Sequence, residues 1–474
     1  MKPSRRLNAA LGAAFLVDRC LAAATSGVFN VLSINVAGLP AFLNNNDVPG
    51  DKATNAATLG SKFAQYDLDV VHVQEDFNYH AYIYSTDTHP YRTATSGGVP
   101  IGSGLNTLSN FPWADFRRIK WDKCSDASQF DCLTPKGFTF MRVAISNSTT
   151  TAGSSSSSSS SSISSSSNNS TAVYVDFYNL HADAGTEEQD LVARQDNINQ
   201  VAAHIAQWSA GNAVVVYGDT NSRYSRAGDT GIRALLAASG NAGGPGMTDA
   251  WVELEHGGVV PAAESACGNP AESDTCEVVD KVFYRSSPLV ALRATTFRYD
   301  GARFLQPDGK NVLSDHNPVF VEFSWAAGAA LRQSDFSGGA AYGTWFSDVP
   351  TLAAISKPKP QLLRFRGGSR LDGVALTLTD GTQLSHGGTG GTEVSLELGP
   401  AEYWVEAELC RGEKDGKTRN FYIRAATSAG RTLAAGTRTT DCTSSAAEDG
   451  WQIVGFVGQD GDEIDLLAFV YAPR

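Results

Sequence analysis

The stretch VVVYGDTNSRY, Val214 to Tyr224, reads as a β-strand that ends abruptly. Three valines and a tyrosine suit a buried strand, and Gly218 interrupts it before Asp219, Thr220 and Asn221. A strand that stops this way aims short polar side chains past the edge of its sheet. Just upstream, Leu191, Ile198, Val201, Ile205 and Trp208 recur at helical spacing from Glu187 to Trp208, and Gly211 supplies a stop. The runs FNVLSINV and LDVVHVQE, further upstream, also read as strands. Strands that return after helices predict a layered α/β domain with helices packed outside sheets.

Other strand ends carry polar residues with no evident packing role. They are Asn35 in SINVAGLP, Glu75 in VVHVQEDF, Asn179 and His181 in FYNLHADAG, and Asp315 and His316 in LSDHNPV. Asp280, in CEVVDKVFY, opens a strand. Any one of them alone is ordinary turn chemistry. Together they supply carboxylates and an amide oxygen, the donors a hard divalent cation such as Mg²⁺ takes. They also supply two imidazoles for proton transfer and an aspartate to orient one of them. Hydrolysis of a phosphate ester uses this set.

The order Asn, Gln-Glu, Asn-x-His, Gly-Asp-x-Asn, Asp, Ser-Asp-His resembles the endonuclease/exonuclease/phosphatase superfamily over Val28 to Phe323. The resemblance implies an α/β four-layer sandwich, two packed β-sheets flanked by helices. It also implies roles. Glu75 is the principal metal ligand, supported by Asn35 and Asp315. His316 is the base that activates water, oriented by Asp280. Asp219 and Asn221 hold the attacking water and the phosphate, and His181 stabilises charge growing on the phosphoryl oxygens. Mg²⁺ is the expected cofactor, with Mn²⁺ and Ca²⁺ as alternatives that the same oxygen donors accept.

The superfamily cleaves nucleic acids, inositol phosphates and lipid head groups, so the substrate rests on finer features. CSDASQFDCLTPKGFTF is similar to the sphingomyelinase-like branch, in which an Asp precedes a Lys-Gly pair; the matching residues are Asp131, Lys136 and Gly137. Lys136 is then a phosphate contact or, as a Lys before Gly, a solvated turn residue, and the turn is the expectation. Arg194 interrupts an apolar helix face and reads as a substrate contact or a buried ion-pair member, the latter favoured. GDTNSRY keeps Arg223, yet the approach to Asp280 lacks the Pro-Ser-Trp of inositol phosphatases. A net charge of −13 offers no basic groove for a nuclease. These features favour a lipid or other small phosphodiester as the substrate. A deoxyribonuclease-like nuclease, an inositol phosphate phosphatase and an adhesin with an inactive hydrolase domain remain as alternatives.

The chain's 474 residues predict two or three domains. Lys2, Arg5 and Arg6, then an apolar run and LAAA, predict a signal peptide over 1–24 and an exported protein. Nothing else approaches the length of a membrane span. Of seven cysteines, Cys20 lies in the leader; an even set of the others predicts disulfides, with sequence neighbours 124–132, 267–276 and 410–442 as one pairing. Asn147, Asn168 and Asn169 stand in Asn-x-Ser/Thr acceptors. The Ser-rich run 152–171 cannot bury a core, and reads as an overgrown loop between neighbouring strands of the catalytic domain 27–325.

Composition shifts to Gly, Ala and Ser near Ala330, placing a linker at 326–335. Beyond it, short strands punctuated by glycine predict an all-β domain over 336–473. GSRLDGVALTL and GDEIDLLAFVY share a weak repeat. FSGGAAYGTWFSD, SHGGTGG and WQIVGFVGQDGDEIDLLAFVY resemble a jacalin-type lectin, which implies an all-β prism of three four-stranded sheets. The resemblance places sugar binding at Gly461, Asp462, Glu463 and Asp465, with Gly368 to Asp372 as a possible second loop in which Asp372 is read as a turn residue. Ala341 and Tyr342 depart from the family's glycine-rich loop. The expected partners are a phosphate ester, glycans and, through them, a cell surface.

Overall fold

The computed structural model describes residues 25–474 except 42, 43, 45, 97–101, 129, 130, 147–170, 238–245, 264, 341 and 342. The expected leader, the serine run up to Thr171, the three acceptor asparagines, and Ala341 and Tyr342 lie outside the described residues.

The first domain stacks two six-stranded sheets. In one the order is Val290–Tyr299, Val319–Ala327, Ser26–Asn35, Val70–Gln74, Asn106–Ser109, Tyr91–Arg92; in the other it is Thr248–Asp249, Asp280–Arg285, Ala213–Asp219, Tyr174–His181, Gly137–Ala144, Trp113–Lys120. Strand alternation divides each apolar set between two faces. Phe29 and Val31 face the second sheet, whereas Leu32 and Ile34 join Ala56, Leu59, Phe63 and Ile83 of the outer helices Lys52–Gln65 and His80–Thr86. The inner faces meet where Phe29 packs edge-on against Phe177 and His72 stacks on Tyr217. The helix Glu188–Trp208 covers the second sheet with Ile198, Val201 and Ile205, and a reciprocal capping box of Glu187 and Asp190 starts it. The fold is the four-layer α/β sandwich that the sequence implied.

The second domain is the expected all-β prism. Two of its sheets have four strands, and the third gathers Thr344–Ser347, Trp451–Asp460, Ile464–Pro473, Arg332–Ser334 and Ser337–Gly338. Arg332–Ser334, within the segment read as a linker, is thus a strand of this sheet: it pairs with Val470 and Tyr471 on one side and with Thr171 and Ala172 of the first domain on the other. The two domains share a sheet, and an edge that either alone would leave unpaired is covered.

Side chains seal the same junction. Arg142, fully buried, makes a bidentate pair with Asp176 at 2.8 and 2.9 Å and lies 3.4 Å over the ring of Trp345 in the prism. Tyr174 donates to Asp335, and Gln459 donates to Asp115. These contacts cluster at the Tyr174 end of the Tyr174–His181 strand, whose other end carries His181. Seven steps of about 3.3 Å put some ~23 Å between them. The prism therefore docks on the pole of the sandwich opposite His181.

Three disulfides form, Cys124–Cys132, Cys267–Cys276 and Cys410–Cys442, the sequence-neighbour pairing. Among the described residues, no helix is long and apolar enough to cross a membrane.

Candidate active site

Strand register builds the site. His181 and Asp219 end parallel neighbouring strands and pair with each other, and Asp280 opens the antiparallel strand on the far side of Asp219, again in register. The three side chains thus stand in a row along one edge of the second sheet. Gly218 permits this approach, because a Cβ there would strike the carbonyl oxygen of Leu180. On the first sheet Asn35 ends its strand beside Gln74, and Glu75 follows. Asn35 joins the two edges: its Nδ2 donates to Glu75 Oε1 at 3.1 Å and to Asp219 Oδ2 at 3.2 Å.

Two backbones at the site are left-handed without being glycine, Glu75 at φ 56° and Asn221 at φ 49°. Such positions cost roughly 1–3 kcal/mol and persist where the surroundings over-determine them. Around Glu75, Phe77 N bonds its carbonyl and Asp76 is buried on Asn106. Around Asn221, the backbone N–H donates to Asp219 Oδ1 and the side-chain amide donates to the Ala182 carbonyl.

His316 closes the row. Its Nδ1 lies 2.8 Å from Asp280 Oδ2, and its Nε2 lies 3.9 Å from Asp219 Oδ2. Burial opposes the imidazolium, yet the charges of Asp280 and Asp219 prevail and hold its pKa well above the ordinary value. His181 shows the reverse balance: burial, then the cations Lys136 and His316, push it well below and keep it neutral. Burial also raises Glu75, against the pull of Lys136, Asn35 and His316, and raises Asp219.

The residues present suit a hard cation. Glu75 Oε2 is a buried carboxylate oxygen with no hydrogen-bond donor, next to the Asn35 amide. Asp219, Asp280 and His316 bring ligand-type atoms within 4.8 Å of one another. Asp315 stands further out: it is exposed and accepts from Asn46 Nδ2 at 3.0 Å, while its charge still acts on Glu75.

Three sequence expectations need revision or resolution. Lys136 is no solvated turn residue. It is 9% exposed, its Nζ sits 2.5 Å from Asp131 Oδ1, and its charge reaches Glu75, His181 and Asp219. The Cys124–Cys132 loop folds it inward, with Ala184 N–H on Asp131 Oδ2. Arg194 is a buried ion-pair member, 2.6 Å from Asp229. Asn179 is no site residue: it points between the sheets, bonded to Gln74, the Val73 carbonyl and the Asn106 carbonyl. Sequence reasoning also passed over Asp131 as a fixed partner for Lys136, and Lys52, Asn46 and Asp76; their neighbours in space are distant or unremarkable in sequence.

In the prism, Gly461 and Asp462 are exposed at a hairpin. Glu463 is clasped by Arg370 and Lys414, and Asp465 pairs with Arg419. Both carboxylates therefore already have cationic partners. Asp372 lies against a glycine turn, where Cβ atoms at Gly390 and Gly391 would fall 2.9 and 2.5 Å from its carboxylate.

A family model described as Endonuclease/Exonuclease/phosphatase family 2 matches residues 52–254, and one described as a Jacalin-like lectin domain matches 341–470. Sphingomyelinases of Mycobacterium bovis and Mycobacterium tuberculosis are 34% identical over 309 residues, 64% of this chain and 54% of theirs. The chain thus spans about half the length of these curated relatives. Beta toxin from Staphylococcus aureus aligns over 62% of this chain and 99% of its own, with 16% identity and a TM-score of 0.39. A mannose-binding jacalin-related lectin from Ananas comosus aligns over 30% and 99%, with 20% identity and a TM-score of 0.27. The two matched regions fall in the order that the sequence implied, an endonuclease/exonuclease/phosphatase family 2 match at 52–254 followed by a jacalin-like lectin match at 341–470.

Proposed function

We propose that this protein is a secreted, divalent-cation-dependent phosphodiesterase that cleaves the head group of a sphingomyelin-type lipid, and that its lectin domain holds it to glycosylated surfaces. The observation that carries the reading is the His316–Asp280 pair set in register beside Asp219 and His181, with Asn35 linking that row to Glu75. The 34% identity to proteins named sphingomyelinases supports the lipid substrate over nucleic acid or inositol phosphates. So does the absence of net positive charge. Three disulfides support an exported protein.

Glu75 would hold the cation, with Asn35 and Asp315 in support; Mg²⁺ suits this oxygen set, and Mn²⁺ and Ca²⁺ fit it too. When bound, the cation supplies charge neutralisation at the phosphoryl oxygens. The chain's own groups do the rest. Asp280 accepts from His316 Nδ1, which leaves Nε2 as the atom that takes a proton from the attacking water. The water oxygen bonds to phosphorus as the bond from phosphorus to the ceramide oxygen breaks; that oxygen takes a proton from solvent and His316 returns its own to solvent, giving phosphocholine and ceramide. Asp219 and Asn221 orient water and phosphate. Neutral His181 donates to a phosphoryl oxygen, and the buried ammonium of Lys136 offsets the charge that builds there.

The lectin domain lies on the opposite pole, so it adds residence at a surface without adding groups to the site. Glycan binding is assigned to the loop Gly461, Asp462, Glu463 and Asp465, where Arg419 fixes the Asp465 carboxylate. Asp465→Ala should abolish retention on immobilised glycans while leaving hydrolysis of dispersed substrate intact.

The deciding experiment is hydrolysis by the purified protein, with Mg²⁺ or EDTA, of sphingomyelin vesicles and plasmid DNA side by side. Phosphocholine release that EDTA stops and Glu75→Ala removes is the expected result. Nicked plasmid with intact lipid would make the protein a nuclease. Glycan binding with no hydrolysis of any phosphate ester would leave the lectin as the working part.

A further inference from the structure

Lys52 occupies a costly position. It is the first residue of the Lys52–Gln65 helix, where the helix dipole disfavours a cation, and it is 9% exposed, so its ammonium has left bulk water. Burial lowers its pKa, while the charges of Glu75 and Asp315 act in the opposite direction. A cation kept at such a place is expected to do something that a neutral helix former would not.

Its surroundings show what it holds. Lys52 Nζ donates to the carbonyls of Ala37 at 2.7 Å, Leu39 at 2.8 Å and Asn44 at 2.8 Å, and to Asn46 Oδ1 at 2.9 Å. All three ammonium protons are thereby used, so Lys52 is not free to grip a substrate. These oxygens begin and end one stretch of chain. At its start Ala37, left-handed at φ 51°, donates its N–H to Asn35 Oδ1 at 3.0 Å. At its end Asn46 Nδ2 reaches Asp315 Oδ2 at 3.0 Å. Asn35 in turn bonds Glu75. A single ammonium thus sits at the hub of a chain of contacts running from Glu75 through Asn35 to Asp315.

We propose that Lys52 is a positioning residue for the cation site: its ammonium ties Ala37, Leu39, Asn44 and Asn46 together so that Asn35 and Asp315 are both presented to a divalent cation held by Glu75. This rests on the reading of Glu75, Asn35 and Asp315 as the cation's ligands. Lys52 contributes geometry, and its charge by itself works against cation binding. The two contributions have opposite signs, which makes the role measurable. Loss of the hub through Lys52→Gln weakens the site if positioning dominates and tightens it if charge repulsion dominates.

The test is Mg²⁺ binding to the full-length protein by isothermal titration calorimetry, for wild type and Lys52→Gln, with rate against Mg²⁺ concentration alongside. The expected result is a dissociation constant raised about tenfold, as for residues that support metal ligands, and a half-saturating Mg²⁺ concentration raised in parallel, with rate recovered at high Mg²⁺. A purely structural role would lower the melting temperature and leave the affinity of the folded fraction unchanged. Unchanged or tighter Mg²⁺ binding by Lys52→Gln overturns the proposal. If that variant does not fold, Asn46→Ala cuts the link to Asp315 from a less buried position, and the same weakening is required of it. No Mg²⁺ binding by wild type would instead remove the cation site itself, a failure distinct from that of Lys52.

Discussion

His316 Nδ1 and Asp280 Oδ2 lie 2.8 Å apart, in a pair whose other imidazole nitrogen looks toward Asp219 Oδ2 at 3.9 Å. Asp280 is the first residue of its strand and His316 belongs to a turn of the other sheet, so both sheets must be in register for the pair to form.

Asp280→Asn tests what the pair does. A base must be unprotonated to act, so the rate should rise with pH as His316 loses its proton. The two carboxylates hold that proton, which places the rising limb above the ordinary imidazole range in the wild type. Removing the charge of Asp280 should move the limb to lower pH. The amide also offers the wrong partner for Nδ1–H, and kcat should fall by about 10²–10⁴-fold. A pH–rate profile of both proteins reads both effects; an unchanged limb would mean that another group is the base.

Lys136 supplies the second prediction. Its ammonium is buried on Asp131, and its charge acts on Glu75 and His181. Lys136→Met should reduce kcat/KM by about 10²-fold, in the range for loss of a group aimed at developing charge. It should also raise the His181 pKa, because the repulsion that helps keep it neutral is gone. Reduction of Cys124–Cys132, adjacent to Asp131, should weaken activity in the same direction; NMR titration of His181 separates the charge effect from loss of fold.

Much of this site was legible in the sequence, for a physical reason. His181, Asp219 and Asp280 sit at strand ends, and strand ends are marked locally by glycine, turn residues and the loss of alternation. Lys136 was misread because Lys-Gly is a local signal for a solvated turn, whereas its burial depends on a disulfide loop folding back over the second sheet. Asn179 erred the other way: its polarity suggested function, while alternation along its strand aims it at Gln74 between the sheets. The linker reading failed at Arg332–Ser334 because a three-residue strand gains its partners, Thr171 and Ala172, from across more than a hundred residues. The hairpin turn at Gly461 and Asp462 was marked locally by glycine, and the Arg419 that meets Asp465 was not legible, since it comes from a different sheet.

The junction between domains should behave as part of the core. Arg142 and Asp176 are both fully buried, and Trp345 of the prism covers the guanidinium. Replacing one member of a buried pair leaves the other charge uncompensated, at a cost of about 3–5 kcal/mol. Arg142→Met should therefore lower the melting temperature of the whole chain. Because the pair is roofed by the second domain, calorimetry should show one transition for both domains in the wild type. Two well-separated transitions would mean that the shared sheet does not couple them.

Asp76 gives a prediction about pH and stability. Burial, against the opposing effects of Asn106 and Arg118, raises its pKa to about 7, while an unfolded Asp titrates near about 3.9. Between these values the folded protein binds more protons than the unfolded one, so unfolding free energy falls as pH rises, by up to about 1.4 kcal/mol per pH unit for one group. Asp183, also raised to about 7, and His316 slope the same way, so the test must be a difference. Asp76→Asn keeps an oxygen for the Asn106 amide, bonded at 2.7 Å in the wild type, and carries no charge at any pH. Urea denaturation in EDTA at about pH 5 and pH 7 should show a smaller loss of stability for the variant than for the wild type. Equal losses would mean that Asp76 is already ionised in the folded protein, held by Arg118, whose own pKa burial lowers to about 10 against the charges of Tyr84 and Asp76.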